Sequence, residues 1–238
     1  MWKIYFNRPF LYLEDKLNKG LFKFENITLK DTENIVPLIS RSLIRNKLYE
    51  VGELEAISKL NFYDNHFIDL GSSIGITTLS VAQKAEDKII ISVEPVREFL
   101  NYSRKNLDKY GNNSNNYIFI NKAIYYGKTR PKIIKKNNSL EGVLDENFGL
   151  EIEKTNITSI VESYNLTNFN ILIDLEGFSF EPFIEEPEIF KFCEKLIIEE
   201  SFKNSLEKNV FIENLSELGF KVKYEKHYWN STIIGASK

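Results

Sequence analysis

The chain has 238 residues, enough for one α/β domain with a full core or for such a domain plus an N-terminal extension. Hydrophobic residues make up 42% and charged residues 27%, and a net charge of −3 disfavours nucleic acid, which calls for a basic face. The single cysteine, Cys193, excludes an intramolecular disulfide; with no signal-peptide pattern and no apolar run of roughly 20 residues, the expectation is a cytoplasmic protein without a membrane span.

Residues 1–30 are rich in aromatics (Trp2, Tyr5, Phe6, Phe10, Tyr12, Phe22, Phe24) and lack a helical period. They read as short strands or an irregular arm that packs on the main domain or lines the seam of a homodimer. Residues 32–60 carry a helical pattern, with Asp31 or Thr32 as cap and apolar positions at Ile35, Leu38, Ile39, Leu43 and Ile44. A break near Gly52 separates a second helix over 53–60. Residues 1–60 thus form an extension, and 61–238 the main domain. From residue 65 the pattern alternates. Strands are expected at 66–70, 89–94, 117–123, 170–175, 195–200, 219–224 and 228–236, and helices at 75–85, 96–110, 157–164, 183–192 and 204–217. That alternation predicts an α/β fold with a seven-stranded, mostly parallel sheet. Residues 225–227 are too few for a crossover, so the last two strands form a C-terminal antiparallel hairpin. Residues 124–156 interrupt the pattern with Gly127, Pro131 and an Asn137-Asn138-Ser139 turn, which suggests a small inserted hairpin and loop.

Three of the expected strands end in an acid: Asp69, Glu94 and Asp174. In open α/β sheets that edge is where ligands bind. Asp69 is followed by Gly71 and Gly75, a spacing that lacks the third glycine of the G-x-G-x-x-G phosphate loop and so argues against a nicotinamide-dependent oxidoreductase. S-adenosylmethionine has no phosphate. Its amino-acid end needs a close backbone turn and a nearby carboxylate, which Gly71 and Asp69 supply, while Glu94 suits its two ribose hydroxyls. A plain tight turn with an acid capping a helix would account for the loop alone.

Several ordered segments carry a family resemblance over residues 49–236. They are Tyr49-Glu50-Val51-Gly52-Glu53-Leu54, Phe67-Ile68-Asp69-Leu70-Gly71-Ser72-Ser73-Ile74-Gly75, Val93-Glu94-Pro95, Asn121-Lys122-Ala123-Ile124, Thr158-Ser159-Ile160-Val161-Glu162, Ile171-Leu172-Ile173-Asp174-Leu175-Glu176-Gly177 and Leu196-Ile197-Ile198-Glu199-Glu200. In this order they resemble the FkbM-type S-adenosylmethionine-dependent methyltransferases. The resemblance implies a Rossmann-like fold and methyl transfer, mostly to oxygen, onto a sugar, glycolipid or small natural product. It implies cofactor contacts from Glu53, Asp69, Gly71, Ser72, Ser73, Gly75, Ile76, Glu94, Pro95, Asn121, Ala123 and Asp174. The chain departs from the family pattern at Ser72-Ser73 (commonly Ala-Asn), Leu172 (commonly Lys) and Ser179 (commonly acidic). A cofactor-binding module with altered catalysis is therefore a rival reading.

Methyl transfer needs an aligned acceptor and, for a hydroxyl, a base. Asp174 and Glu176 fall where an acceptor would lie, and His227, in the final turn, is a third candidate base. Asp174 and Glu176 could instead hold a divalent cation, although two acids alone do not favour a metal site. His66, at the far end of its strand, reads as structural, and Cys193 as a core thiol. One of Glu199 and Glu200 is expected to face the site. The run Lys128, Arg130, Lys132, Lys135 and Lys136 reads as a solvated edge or as an attractor of a phosphorylated acceptor.

Overall fold

A computed structural model describes residues 8–19, 21–24, 27–31, 35–136, 139–145, 147–228 and 231–238, except the side chains of 8, 24, 27, 28 and 30. Its main sheet has seven strands: β1 (His66–Leu70), β2 (Ile89–Val93), β3 (Asn116–Ile120), β4 (Phe169–Ile173), β5 (Cys193–Glu200), β6 (Lys221–Tyr228) and β7 (Ser231–Ser237). Their order across the sheet is β3-β2-β1-β4-β5-β7-β6. Strands β1 to β5 are mutually parallel, and β7 runs antiparallel to both β5 and β6. The polypeptide at the end of β6 therefore emerges on the same edge as the carboxyl ends of β1 to β5.

Strand side chains alternate between two cores, as a period of two requires. Phe67, Ile90, Leu172 and Ile197 face one core; Ile68, Ile91, Ile171 and Ile198 face the other. Both faces are covered, so the parallel strands are near-continuous apolar runs; every residue of β4 is buried. The first core is completed by α3 (Val51–Leu60), α4 (Ile76–Ala82) and α5 (Arg97–Tyr110) through Ala56, Ile57, Leu79 and Phe99. The second is completed by α6 (Ile157–Ser163), α7 (Glu181–Glu185) and α8 (Ser205–Glu217) through Ile160, Phe183, Phe211 and Leu215. Asn156 caps α6 by accepting the Ser159 N–H at 2.9 Å, and Asn204 caps α8 by accepting the Glu207 N–H at 2.9 Å.

Several local expectations are corrected. Of the residues expected as short strands or an irregular arm, Leu21–Phe24 and Ile27–Lys30 are short strands paired antiparallel, whereas residues read as lacking a helical period form α1 (Arg8–Leu17); Trp2, Tyr5 and Phe6 lie outside the described residues. Charges join this region to α2 (Leu38–Arg45): Arg41 donates to Asp15 at 3.0 Å and to buried Asp31 at 2.9 Å, and Arg45 pairs with Asp15. The break between the two helices falls at residues 46–50. Gly52 lies inside α3, where a Cβ would come within 2.6 Å of Ile233 Cγ1; close approach of α3 to β7 is what it serves. Residues 225–227 belong to β6, with His227 opposite Thr232 and Tyr228 opposite Ser231, so they are not the turn of the hairpin; residues 229–230 lie outside the described residues. The insert is more than a hairpin. Strands Lys132–Lys135, Gly142–Asp145 and Leu150–Glu151 form a small antiparallel sheet, and Ala123–Ile124 pairs in parallel with Lys154–Thr155.

Candidate active site

The loop from β1 to α4 is built around backbone hydrogen bonds. The Gly71 and Ser72 N–H groups both donate to Val93 O, at 2.9 and 3.1 Å. Gly71 has φ +83°, and a Cβ there would sit 1.8 Å from Asp174 O, so only glycine lets the ends of β1 and β4 come this close. Gly75 turns the backbone into α4 with φ +79°. A cavity of about 380 Å³ opens above this loop, within the size range of small-molecule sites.

Its wall follows the strand order. From the β2 and β3 side come Glu94, Pro95, Ala123 and Ile124. From the centre come Gly71 and Ser73, and from the β4 and β5 side Asp174, Leu175, Glu176 and Glu199. Ile39, Ser40 and Leu43 of α2 and Leu140, Gly142 and Leu144 of the insert form a roof, and Tyr49 and Glu50 enter ahead of α3. The insert is fastened to the loop, because the Ser73 hydroxyl donates to Leu140 O at 3.1 Å. Glu50, Ser73 and Glu176, all in the cavity lining, hold left-handed backbone (φ 50°, 45° and 45°), which costs about 1–2 kcal/mol each.

Glu94 is held with one oxygen on the Ser73 N–H (2.9 Å) and the other on the Val96 N–H (2.7 Å). Each carboxylate oxygen accepts two bonds, so both keep an acceptor site for a ligand hydroxyl. Burial raises this carboxyl to about 7, against the lowering effect of its two N–H partners. Asn121 donates to Glu94 O and Pro95 O, both at 2.9 Å, and fixes that turn from behind.

Asp69 is fully buried and does not line the cavity. The Thr77 and Thr78 hydroxyls donate to its Oδ2 at 2.7 and 2.6 Å, turning it inward onto the first turn of α4. Its Oδ1 has no partner, and burial raises the carboxyl to about 6. Ser72 accepts from Ser92 Oγ at 2.8 Å, also beneath the loop, and Ile76 is buried in the core. Glu53 lies behind the wall within hydrogen-bonding reach of Glu199, and burial followed by that contact pushes its carboxyl well up. Asp174 is raised well above the carboxylate range by burial and then by Glu199 and Glu176. Burial takes Glu176 to about 7.

The structure thus brings Gly71, Ser73, Glu94, Pro95, Ala123, Asp174 and Glu176 to one cavity. Glu53, Asp69, Ser72, Gly75, Ile76 and Asn121 support it from behind. His227 is exposed, with Nδ1 3.2 Å from Thr232 Oγ1, and does not reach the cavity. Glu199 faces the site and accepts from Ser231 Oγ at 2.5 Å, whereas Glu200 binds the Ser201 N–H at 2.8 Å. The alternation along β5 carries that assignment, since Glu199 shares a face with Ile197 and the α3 core. The roof residues, which only the fold brings over the loop, have no such local signal.

Leu172, where the resembled pattern commonly has lysine, is buried in the first core. Ser179 is fully buried, and its Oγ accepts the Leu175 N–H at 3.1 Å, closing the loop after β4. His66 Nδ1 accepts the Ile89 N–H at 3.0 Å at the opposite sheet edge. Cys193 is buried. Among the described residues no helix is long and apolar enough to cross a membrane, and no three His, Cys, Asp or Glu side chains are grouped to hold a metal ion.

The chain matches no protein-family model, and no curated protein matches it by sequence. Solved structures resemble it. TrmK of M. capricolum, in complex with S-adenosyl-homocysteine, superposes with a TM-score of 0.50 at 16% identity, covering 78% of this chain and 67% of that one. Magnesium protoporphyrin IX methyltransferase from Synechocystis, with bound S-adenosylmethionine, gives 0.46 at 12% identity over 83% of both chains. Precorrin-6y C5,15-methyltransferase from Geobacter metallireducens gives 0.46 at 13% identity, covering 78% and 86%. At such identity the TrmK likeness speaks to the fold, which is mixed α/β and Rossmann-like, the fold of S-adenosylmethionine-dependent methyltransferases.

Proposed function

We propose that this chain is an S-adenosylmethionine-dependent methyltransferase of the FkbM type that methylates a hydroxyl of a sugar, glycolipid or small natural product. The observation that carries the reading is the cavity over Gly71, with a doubly anchored carboxylate at the end of β2 and free acceptor capacity on both its oxygens. The residues fit the cofactor. Gly71 admits it against bare backbone, Glu94 meets the ribose hydroxyls, and Pro95, Ala123, Leu140 and Leu144 offer an apolar slot for adenine. The methionine end would then lie toward Asp174, with Asp69 acting through the loop and α4.

The bound cofactor supplies a methyl group already activated on a sulfonium sulfur; the protein's task is alignment and removal of a proton. Asp174, Glu176 and Glu199 line the β4 and β5 side, where an acceptor oxygen would sit. The raised carboxyl groups of Asp174 and Glu176 are suited to exchange a proton near neutral pH. The distance of His227 from the cavity favours these carboxylates as the base. Isothermal titration of the folded chain with S-adenosylmethionine and S-adenosylhomocysteine tests the reading. Micromolar binding of both is expected, and no binding at millimolar concentration overturns it. Binding without release of S-adenosylhomocysteine over a panel of hydroxyl acceptors would favour the catalytically altered module.

A further inference from the structure

The two halves of the cavity differ in character. The half over β2 and β3 is largely apolar. The half over β4 and β5 is walled by Glu50, Asp174, Glu176 and Glu199, with Glu53 behind Glu199. These carboxyl groups come from three separate segments: the turn into α3, the loop after β4 and the end of β5. Among the described residues no Lys, Arg or His lines the cavity. Lys136, which acts electrostatically on Glu176, is bound to Glu141 of the lining. Two other members of the basic run are engaged elsewhere: Lys132 donates to Asn147 O at 2.9 Å, and Lys135 pairs with Glu98 at 2.5 Å.

Two unit charges of like sign 4 Å apart repel by roughly 4 kcal/mol at an effective dielectric of 20. Burial takes Glu50 to about 8, with Asp69 adding to the rise, so this carboxyl keeps its proton at neutral pH and the repulsion is reduced. Glu50 is hydrogen-bonded to Tyr49, while its Oε2 is buried with no hydrogen-bond partner. The net charge of the methyl donor is a single positive, and its own ammonium would be met by Asp174. Glu50 and Glu199 then remain as surplus acceptors on the acceptor side, next to the aromatic Tyr49. Carboxylates beside an aromatic ring form a receptor for an ammonium group, which brings three N–H donors and one positive charge.

We propose that this half of the cavity recognises an ammonium group, so that the acceptor is an amine-bearing small molecule of the amino-sugar kind and not a phosphorylated or carboxylated one. The proposal rests on the methyltransferase reading and assigns Glu50, with Glu199 held by Glu53 and Ser231, as the residues that select the acceptor.

The test uses the full chain, first titrated with S-adenosylhomocysteine and then saturated with it. Ligand-observed NMR follows with size-matched probes: glucosamine, N-acetylglucosamine and glucose 6-phosphate, and cyclohexylamine, cyclohexanol and cyclohexanecarboxylate. The amines are expected to bind at least ten-fold more tightly than their neutral and anionic counterparts. Glu50→Gln, or Glu199→Gln should the first variant fold poorly, is expected to reduce that preference below three-fold. Equal or tighter binding of the neutral or anionic probes, or no amine binding at millimolar concentration, overturns the proposal. Failure of S-adenosylhomocysteine to bind at the first step overturns the methyltransferase reading instead, so the two failures are separable.

Discussion

Glu94 and Glu50 illustrate two ways in which a buried carboxyl can be prepared for a ligand. Glu94 is anchored by two N–H donors and keeps acceptor capacity; Glu50 is buried with one oxygen unpartnered. Glu94→Ala would remove the ribose contacts and the Ser73 anchor together. Hydrogen bonds to a charged group are worth about 1.5–3 kcal/mol, so at least a ten-fold loss of S-adenosylhomocysteine affinity is expected by calorimetry. The raised carboxyls also set a pH dependence. Asp69 (about 6), Glu94 and Glu176 (about 7) and Glu50 (about 8) bind protons more strongly folded than unfolded. Their contribution is complete near pH 4 and is lost as pH rises toward 8. His66, whose imidazole burial pushes down, acts in the opposite sense, but as one group against several. The ligand-free protein should therefore melt at a lower temperature at pH 8 than at pH 5.5. The shift produced by cationic S-adenosylmethionine should be larger at pH 8, because binding displaces protons. Scanning calorimetry with and without ligand reads both.

At the scale of elements, the β1–α4 turn and the loop after β4 depend on glycine for different reasons. Gly71 combines φ +83° with a Cβ position 1.8 Å from Asp174 O, whereas Gly177 has φ +93° and open space around it. Gly71→Ala should abolish S-adenosylhomocysteine binding and lower stability by more than about 3 kcal/mol. Gly177→Ala should cost only the left-handed backbone, about 1–2 kcal/mol. Denaturant titration compares them. Most of this layer was legible in the amino-acid order. Apolar runs such as Phe67-Ile68 and Ile171-Leu172-Ile173 end in acids, and turn residues follow. What was not legible had no local cause. The helix Arg8–Leu17 is tied down by Asp15 to Arg41 and Arg45, 26 and 30 residues away, and no window on the sequence contains both partners. His227 looked like a turn residue because strand β6 continues through a charged, exposed stretch, Glu225 and Lys226, that an alternating apolar pattern would not extend.

Across the whole molecule, the sheet order β3-β2-β1-β4-β5-β7-β6 places β1 and β2 side by side, and three segments from outside the sheet, α2, the turn into α3 and the insert, gather over their carboxyl ends. The alternation of elements foretold the parallel sheet and its terminal hairpin. The roof was legible only as an interruption, because the positions of α2 and the insert are set by contacts such as Ser73 Oγ to Leu140 O. Ligand binding is expected to slow amide hydrogen exchange at residues 139–144 and 39–43, and to leave α8 unchanged; mass spectrometry of the exchanged protein reads this. No slowing at the insert would remove it from the site.

The contact of Gly71 with the Asp174 carbonyl has a consequence for how such a protein can diversify. On the proposed reading, donor platform and acceptor floor are two loops that meet main chain to main chain, so neither can be remodelled alone. New substrate preferences would have to be written into the parts that merely lean over it, the N-terminal helices and the inserted sheet, where a changed side chain leaves the donor seat undisturbed.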